Sequence, residues 1–193
     1  MANQQSTARI SRLAVPDEQT LPEDLRELFE QSRAKPGFVP HVYQAYSLRP
    51  QQLRGFNALY NAIMLDDSGL SKAEREMIAV AVSAQNHCFY CLTSHGAALR
   101  VRSKDVVLAD TVAANYRAAA LSPRQRAMLD FAHKLTATPA EVGAADRRRL
   151  ARAGFSARDI WDISAVTGFF NMTNRHATAT DMMPNPEYHA RSR

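Results

Sequence analysis

Residues 86–100 read NHCFYCLTSHGAALR. Cys88 and Cys91 stand three apart, His95 follows four later, and the 193-residue chain has no other cysteine. Thiolate is the nucleophilic form of cysteine, and imidazole is the side chain that trades protons near neutrality. Three chemistries compete for such a set. As zinc ligands, the two cysteines with His95 and Glu76 make four donors. Structural zinc sites, however, show two paired knuckles, and this chain has one. As a buried structural pair, the cysteines are inert fillers. As a redox dithiol, the CxxC spacing lets the sulfurs meet with little backbone movement.

The elements that position these residues favour the redox reading. Asn86 is expected to cap a helix that begins at the cysteines. Cys88 then falls in the first turn, with Cys91 and His95 along the same stripe, because residues three and four apart share a helix face. The first turn offers unpaired amides and the positive end of the helix dipole. Both favour thiolate, and such placements lower a thiol from about 8.5 by one to several units. Glu76 lies twelve residues before Cys88, on a preceding helix that also carries Met77, Ile78, Val80, Ala81 and Val82. A turn at 85–87 can fold that helix back, and a carboxylate desolvated among apolar side chains suits proton transfer. Composition alone favours the plainer alternative, a surface charge beside Arg75.

Helix starts are legible along the chain. Ser71-Lys-Ala-Glu74 and Thr138-Pro-Ala-Glu141 read as capping boxes, and Ser156-Ala-Arg-Asp159 as a variant. Ser122-Pro123 places a capping hydroxyl before proline at the first helical position. Ser103 is expected to cap a helix through Val106, and Gly154 to end one. The pattern predicts helices near 22–34, 41–47, 50–66, 71–85, 88–101, 104–115, 123–136, 139–152 and 157–180. No segment of strand alternation competes. Leu70-Ser71, Arg75 and Met77 are echoed 51 residues later by Leu121-Ser122, Arg126 and Met128. This is either an internal repeat without its chemistry or two similar helix starts.

The length fits one domain able to bury a core. The expected organisation is an extension over 1–20, a helical domain over 21–183 and a loose or neighbour-packed tail over 184–193. An apolar fraction of 46% and a charged fraction of 22% are ordinary for a globular chain. The N-terminus lacks an apolar signal segment, and no stretch reaches the roughly 18 apolar residues of a membrane span. A cytoplasmic protein is expected, where a structural disulfide is uncommon. The net charge of +5 permits anionic partners without requiring them. Arg147, Arg148, Arg149 and Arg152 read as a solvated helix face, and nucleic-acid binding wants a broader patch and a recognisable module.

The pattern Glu76-x11-Cys88-x2-Cys91-x3-His95 resembles the active site of the AhpD-like alkylhydroperoxidases, in the carboxymuconolactone decarboxylase superfamily. KPGFVPHVYQAYSLRPQQLRGFNALYNAIM (35–64) and the closing FFNMTNRHATATD are similar to its peroxidase-related branch. The resemblance spans roughly residues 20–183. It implies an all-α helical bundle that forms homo-oligomers, trimers or hexamers. It implies a hydroperoxide substrate, with Cys91 attacking the peroxide, Cys88 resolving the sulfenic acid as a disulfide, and Glu76 and His95 relaying the proton. It implies no cofactor or metal, and a dihydrolipoyl or thioredoxin-like thiol reductant as partner. From the residues alone, Cys88 lies nearer the helix start and has an equal claim to the lower pKa. Disulfide exchange, a non-catalytic redox role, or a decarboxylating or ring-opening activity of the same superfamily are the competing functions. The last leaves both cysteines unused.

Tyr90 precedes the second cysteine where some members carry histidine. A phenol is no base near neutral pH, but it can hydrogen-bond. His87 is a possible substitute or a polar turn residue. His41 and His133 read as structural, and Asn171, Asn174, Arg175 and His176 as buried hydrogen bonding or a subunit contact. Phe56, Tyr60, Phe89 and Tyr90 are candidates to line an apolar pocket near the thiols.

Overall fold

Helix α4 (Lys72–Gln85) is the axle of the fold, and its sequence explains why. Every residue from Arg75 to Ser83 is buried. A helix apolar on all sides must be surrounded, and α4 packs against α5 (Phe89–Ser103), α6 (Val106–Asn115), α7 (Pro123–Ala137) and α9 (Ala157–Ala179). The computed structural model describes residues 9–34 and 36–193. Among them it contains no strand. Its remaining helices are α1 (Glu23–Ala34), α2 (His41–Tyr46), α3 (Pro50–Met64), α8 (Ala144–Arg152) and α10 (Glu187–Ala190).

One apolar core joins these elements. Ile78, Val80 and Val82 of α4 are wholly enclosed, as are Leu53 of α3, Leu99 of α5, Met128 and Leu129 of α7, Leu150 of α8 and Ile163 of α9. Each such side chain contributes about 1.5–3 kcal/mol on burial.

The expected caps largely form. Ser71 with Glu74 and Ser156 with Asp159 make capping boxes, and Ser122 makes one with Gln125. Gly154 takes φ +89 just beyond α8, the left-handed geometry that glycine adopts without strain. Two caps differ. The predicted helix 139–152 is a 3-10 turn at Pro139–Glu141 followed by α8 from Ala144. Thr138 makes no side-chain cap, and it is Asp146 Oδ2 that accepts the Gly143 amide at 2.9 Å. Lys134 Nζ, 2.8 Å from the same oxygen, holds that carboxylate in place. Asp105, not Ser103, caps α6 by accepting the Leu108 amide at 2.8 Å. Ser103 lies inside the last turn of α5 and donates to Leu99 O instead.

The 51-residue echo has structural counterparts. Arg75 reaches back to the carbonyls of Leu70 and Ile63, and Arg126 to those of Tyr116, Arg117 and Ala119. Each arginine thus ties its helix to the segment before it, and Met77 and Met128 are both buried.

The expected loose tail is docked on its own chain. Helix α10 lies on α5 of the same chain. The Arg100 guanidinium, 5% exposed, donates to Tyr188 O at 2.8 Å and Arg191 O at 2.9 Å. Asn185 is buried and bridges the His41 amide and Val39 O. At the other end, residues 1–8 of the expected extension lie outside the described residues. Arg12 and Ile10 pair through their backbones with Thr180 and Met183.

Candidate active site

The turn between α4 and α5 builds the site. His87 has φ +52, and its amide bonds Ala84 O while the Cys88 amide bonds Ser83 O. This paired closure of the last helical turn is the Schellman arrangement. His87 is therefore the left-handed turn residue, exposed to solvent. Asn86 does not cap α5; it ends α4, and its amide donates to Asn171 and Asn174 at 3.1 and 2.9 Å. The cap of α5 is Cys88 itself, whose Sγ accepts the Cys91 amide at 3.4 Å.

That geometry separates the two sulfurs. Cys88 is lowered to about 7 because its thiolate accepts hydrogen bonds from the Cys91 thiol, the Cys91 amide and Thr178, with His95 adding a favourable charge. Cys91 is pushed up, first because its proton is the one given to Cys88, then by burial and by the charge of Cys88. Asn174 and Thr173 pull in the opposite direction through hydrogen bonds. The pair is a free dithiol, both members buried, and it titrates as one unit.

Glu76 is not a surface charge. It is 5% exposed, and its Oε2 lies 2.7 Å from His95 Nδ1. An ionised carboxylate only accepts, so Nδ1 carries a proton and donates it to Glu76. His95 is further fixed edge-on against the Phe170 ring, with centroids 4.5 Å apart. All four residues expected at the site are thus brought together by α4 and α5.

Glu76, Cys91 and His95 line a cavity of about 420 Å³, within the range of small-molecule sites. Cys88 does not line it. Aromatic rings dominate the walls: Tyr46, Phe56, Tyr60, Tyr90, Phe169 and Tyr188. Of the four aromatics expected there, Phe89 is absent; it is 53% exposed and lies against His189 instead. Tyr90 does hydrogen-bond, accepting the Val42 amide at 3.0 Å and pairing with the Tyr188 hydroxyl. His41 is structural, its Nδ1 2.8 Å from Met183 O.

Sequence reasoning missed Thr173, Thr178 and the roof residue Tyr188. It placed Asn174 correctly among buried hydrogen bonds, without its link to Cys91. The polar set is a network: Asn174 accepts from Asn86 and donates to Ser83 Oγ, and Asn171 donates to Thr136. Only contact through the folded chain reveals these partners. Among the described residues, no group of three or more His, Cys, Asp or Glu is placed to hold a metal ion. No described helix is long and apolar enough to cross a membrane. The arginines at 147–149 and Arg152 are exposed.

Comparison with known proteins identifies the family of this helical fold. Residues 50–134 match the carboxymuconolactone decarboxylase family. An uncharacterized peroxidase-related protein from Silicibacter sp. TM1040 is 51% identical, with a TM-score of 0.93 over 98% of this chain and 100% of that one. The alkylhydroperoxidase AhpD core of an uncharacterized peroxidase-related protein from Ralstonia eutropha JMP134 is 47% identical, with a TM-score of 0.94 over 96% and 97%. The uncharacterized protein YnjA of Escherichia coli (strain K12) is 31% identical over 118 residues, which span 60% of this chain and 63% of that protein. With near-complete coverage at about half identity and the α4–α5 site in place, the chain belongs to the AhpD-like carboxymuconolactone decarboxylase superfamily, in its peroxidase-related branch.

Proposed function

We propose that the protein is a thiol-dependent hydroperoxide reductase, working within its helical domain over 21–183. The observation that carries this reading is the Glu76–His95 bond of 2.7 Å in the wall of the cavity that Cys91 also lines. It sets a proton acceptor beside a dithiol that already loses its first proton near 7.

The charge and the cavity fall on different sulfurs, and one proton shift reconciles them. When the shared proton moves from Cys91 to Cys88, the thiolate sits on the sulfur that faces the cavity. Cys91 then attacks one peroxide oxygen. The O–O bond breaks, the alkoxide takes a proton through His95 and leaves as an alcohol, and Cys91 becomes a sulfenic acid. Cys88 attacks that sulfur, the S–O bond breaks, and water leaves as the Cys88–Cys91 disulfide forms. Two thiols and one hydroperoxide thus give disulfide, alcohol and water, and a resolving thiol this close limits overoxidation. An external dithiol, dihydrolipoyl or thioredoxin-like, restores the pair. No metal or cofactor enters. Exposed Val107, Trp161 and Met172 are candidate contacts for a homo-oligomer, a trimer or hexamer.

Disulfide exchange with proteins is the second reading. A first pKa near 7 suits a CxxC oxidoreductase. Against it, Cys88 is 1% and Cys91 4% exposed, which admits a small peroxide more readily than a protein disulfide. The test is one equivalent of a hydroperoxide added to reduced protein, followed by mass spectrometry. Loss of both thiols as an intramolecular disulfide supports the peroxidase reading, and thiols that stay reduced overturn it.

A further inference from the structure

The cavity has a second polar end that the peroxide chemistry does not use. Two adjacent stripes of α5 face it, and one of them carries Cys91, His95, Ala98 and Arg102, a spacing of four, three and four that keeps one helix face. Eleven residues separate Cys91 from Arg102, a rise of roughly 16 Å. Tyr46, Phe56 and Phe169 add aromatic walls to the same cavity. Arg191, from the docked tail, also lines the cavity.

Neither guanidinium is consumed by the fold. Arg100, on the opposite side of the helix, spends its donors on the tail carbonyls. Among the described residues, no ion pair includes Arg102 or Arg191. Arg102 is exposed and Arg191 half-buried, so both sit at the rim. Their charges reach inward, Arg102 to the hydroxyl of Tyr60 and Arg191 to that of Tyr188. The cavity thus has a thiol and two guanidiniums among aromatic walls, with Arg102 three turns along α5 from Cys91. A guanidinium suits a carboxylate, which it binds through two parallel hydrogen bonds.

We propose that the site takes hydroperoxides of apolar carboxylic acids, with the carboxylate held at the rim by Arg102 and Arg191 and the peroxide carried inward to Cys91. This deepens the peroxidase reading and rests on it. A neutral hydroperoxide of the same size fills the cavity but forfeits the rim contact. Discrimination between a carboxylate and its methyl ester then comes from the arginines alone.

The test compares a fatty-acid hydroperoxide with its methyl ester as oxidants of the reduced protein, following thiol loss. The expected result is that the acid oxidises the dithiol about tenfold or more faster at low concentration, an advantage that falls toward unity in Arg102→Gln and Arg191→Gln and with added salt. Equal rates for acid and ester in the unaltered protein, or an advantage that survives both substitutions, overturn the proposal. If neither compound oxidises the thiols, the peroxidase reading fails separately, and binding of the redox-inert laurate decides this one. Saturable binding that weakens about tenfold in Arg102→Gln sustains the carboxylate site; no binding, or binding indifferent to both arginines, removes it.

Discussion

His95 Nδ1 lies 2.7 Å from Glu76 Oε2, and this bond joins α5 to α4 at the cavity wall. It fixes the tautomer of the imidazole and directs Nε2 away from the carboxylate. Replacing Glu76 by Gln keeps the shape and removes the charge that stabilises a protonated imidazole. Oxidation of the dithiol by hydroperoxide is expected to slow by about 10²–10⁴, the usual worth of a positioned acid–base group, with the helical circular dichroism unchanged. Stopped-flow thiol loss measures this. A rate within threefold of the parent removes Glu76 from the relay.

The dithiol should titrate in two well-separated steps. The first lies near 7 and is governed by the hydrogen bond that Cys91 gives to Cys88; the second is pushed up because Cys91 must ionise beside a thiolate and out of water. Peroxide-driven oxidation therefore rises as pH passes upward through about 7. Cys91→Ala removes the thiol donor and raises the Cys88 midpoint, which alkylation rates against pH will read. A Cys88 midpoint unmoved by the substitution would show that the amide and Thr178 suffice.

The same shifts fix a stability profile. Between about 7 and the ordinary thiol value of 9.0, the unfolded chain holds more thiol protons than the folded one, so stability gains with rising pH. Above that range the folded protein keeps the Cys91 proton that the unfolded chain gives up, and the gain reverses. The difference in urea stability between the parent and a Cys88→Ala/Cys91→Ala variant, followed against pH, should pass through a maximum. A monotonic difference contradicts the assigned directions.

Asn174 is 1% exposed and satisfies Asn86 and Ser83 at once. Asn174→Ala leaves both partners short of a hydrogen bond inside the protein, at a cost of about 1–3 kcal/mol. Because Asn174 also bonds the Cys91 sulfur and lowers it, the second thiol step should move further up. Denaturant melts and thiol titration check the two effects independently.

Arg100 pins the tail through two carbonyls. Arg100→Met retains much of the buried stem but gives up both charged hydrogen bonds, each worth about 1.5–3 kcal/mol. Residues 184–193 should then exchange amide hydrogens faster and become open to proteolysis. With Tyr188 no longer roofing the cavity, iodoacetamide should reach Cys91 faster. Unchanged protection of the tail would locate its anchor elsewhere, at Asn185.

Much of this protein follows from local chemistry. Serine three residues before a carboxylate or amide specifies the starts of α4, α7 and α9, because the reciprocal cap is made within one turn. Spacing puts Cys91 and His95 on one face of α5, and the CxxC with its histidine and distant glutamate names the family. Where two local partners compete, the outcome is tertiary. Thr138 loses its cap because Lys134 holds Asp146 in place for Gly143, and Asn86 is drawn from α5 to Asn171 and Asn174 on α9. The largest decisions lie in contacts between distant segments. Whether Glu76 is surface or core depends on four helices closing around α4, and Thr173, Asn174 and Thr178, more than eighty residues beyond the cysteines, tune the two thiols through hydrogen bonds. Helix periodicity and capping act over a few residues and are written in the sequence itself; desolvation and cavity shape are sums over neighbours that only the folded chain assembles.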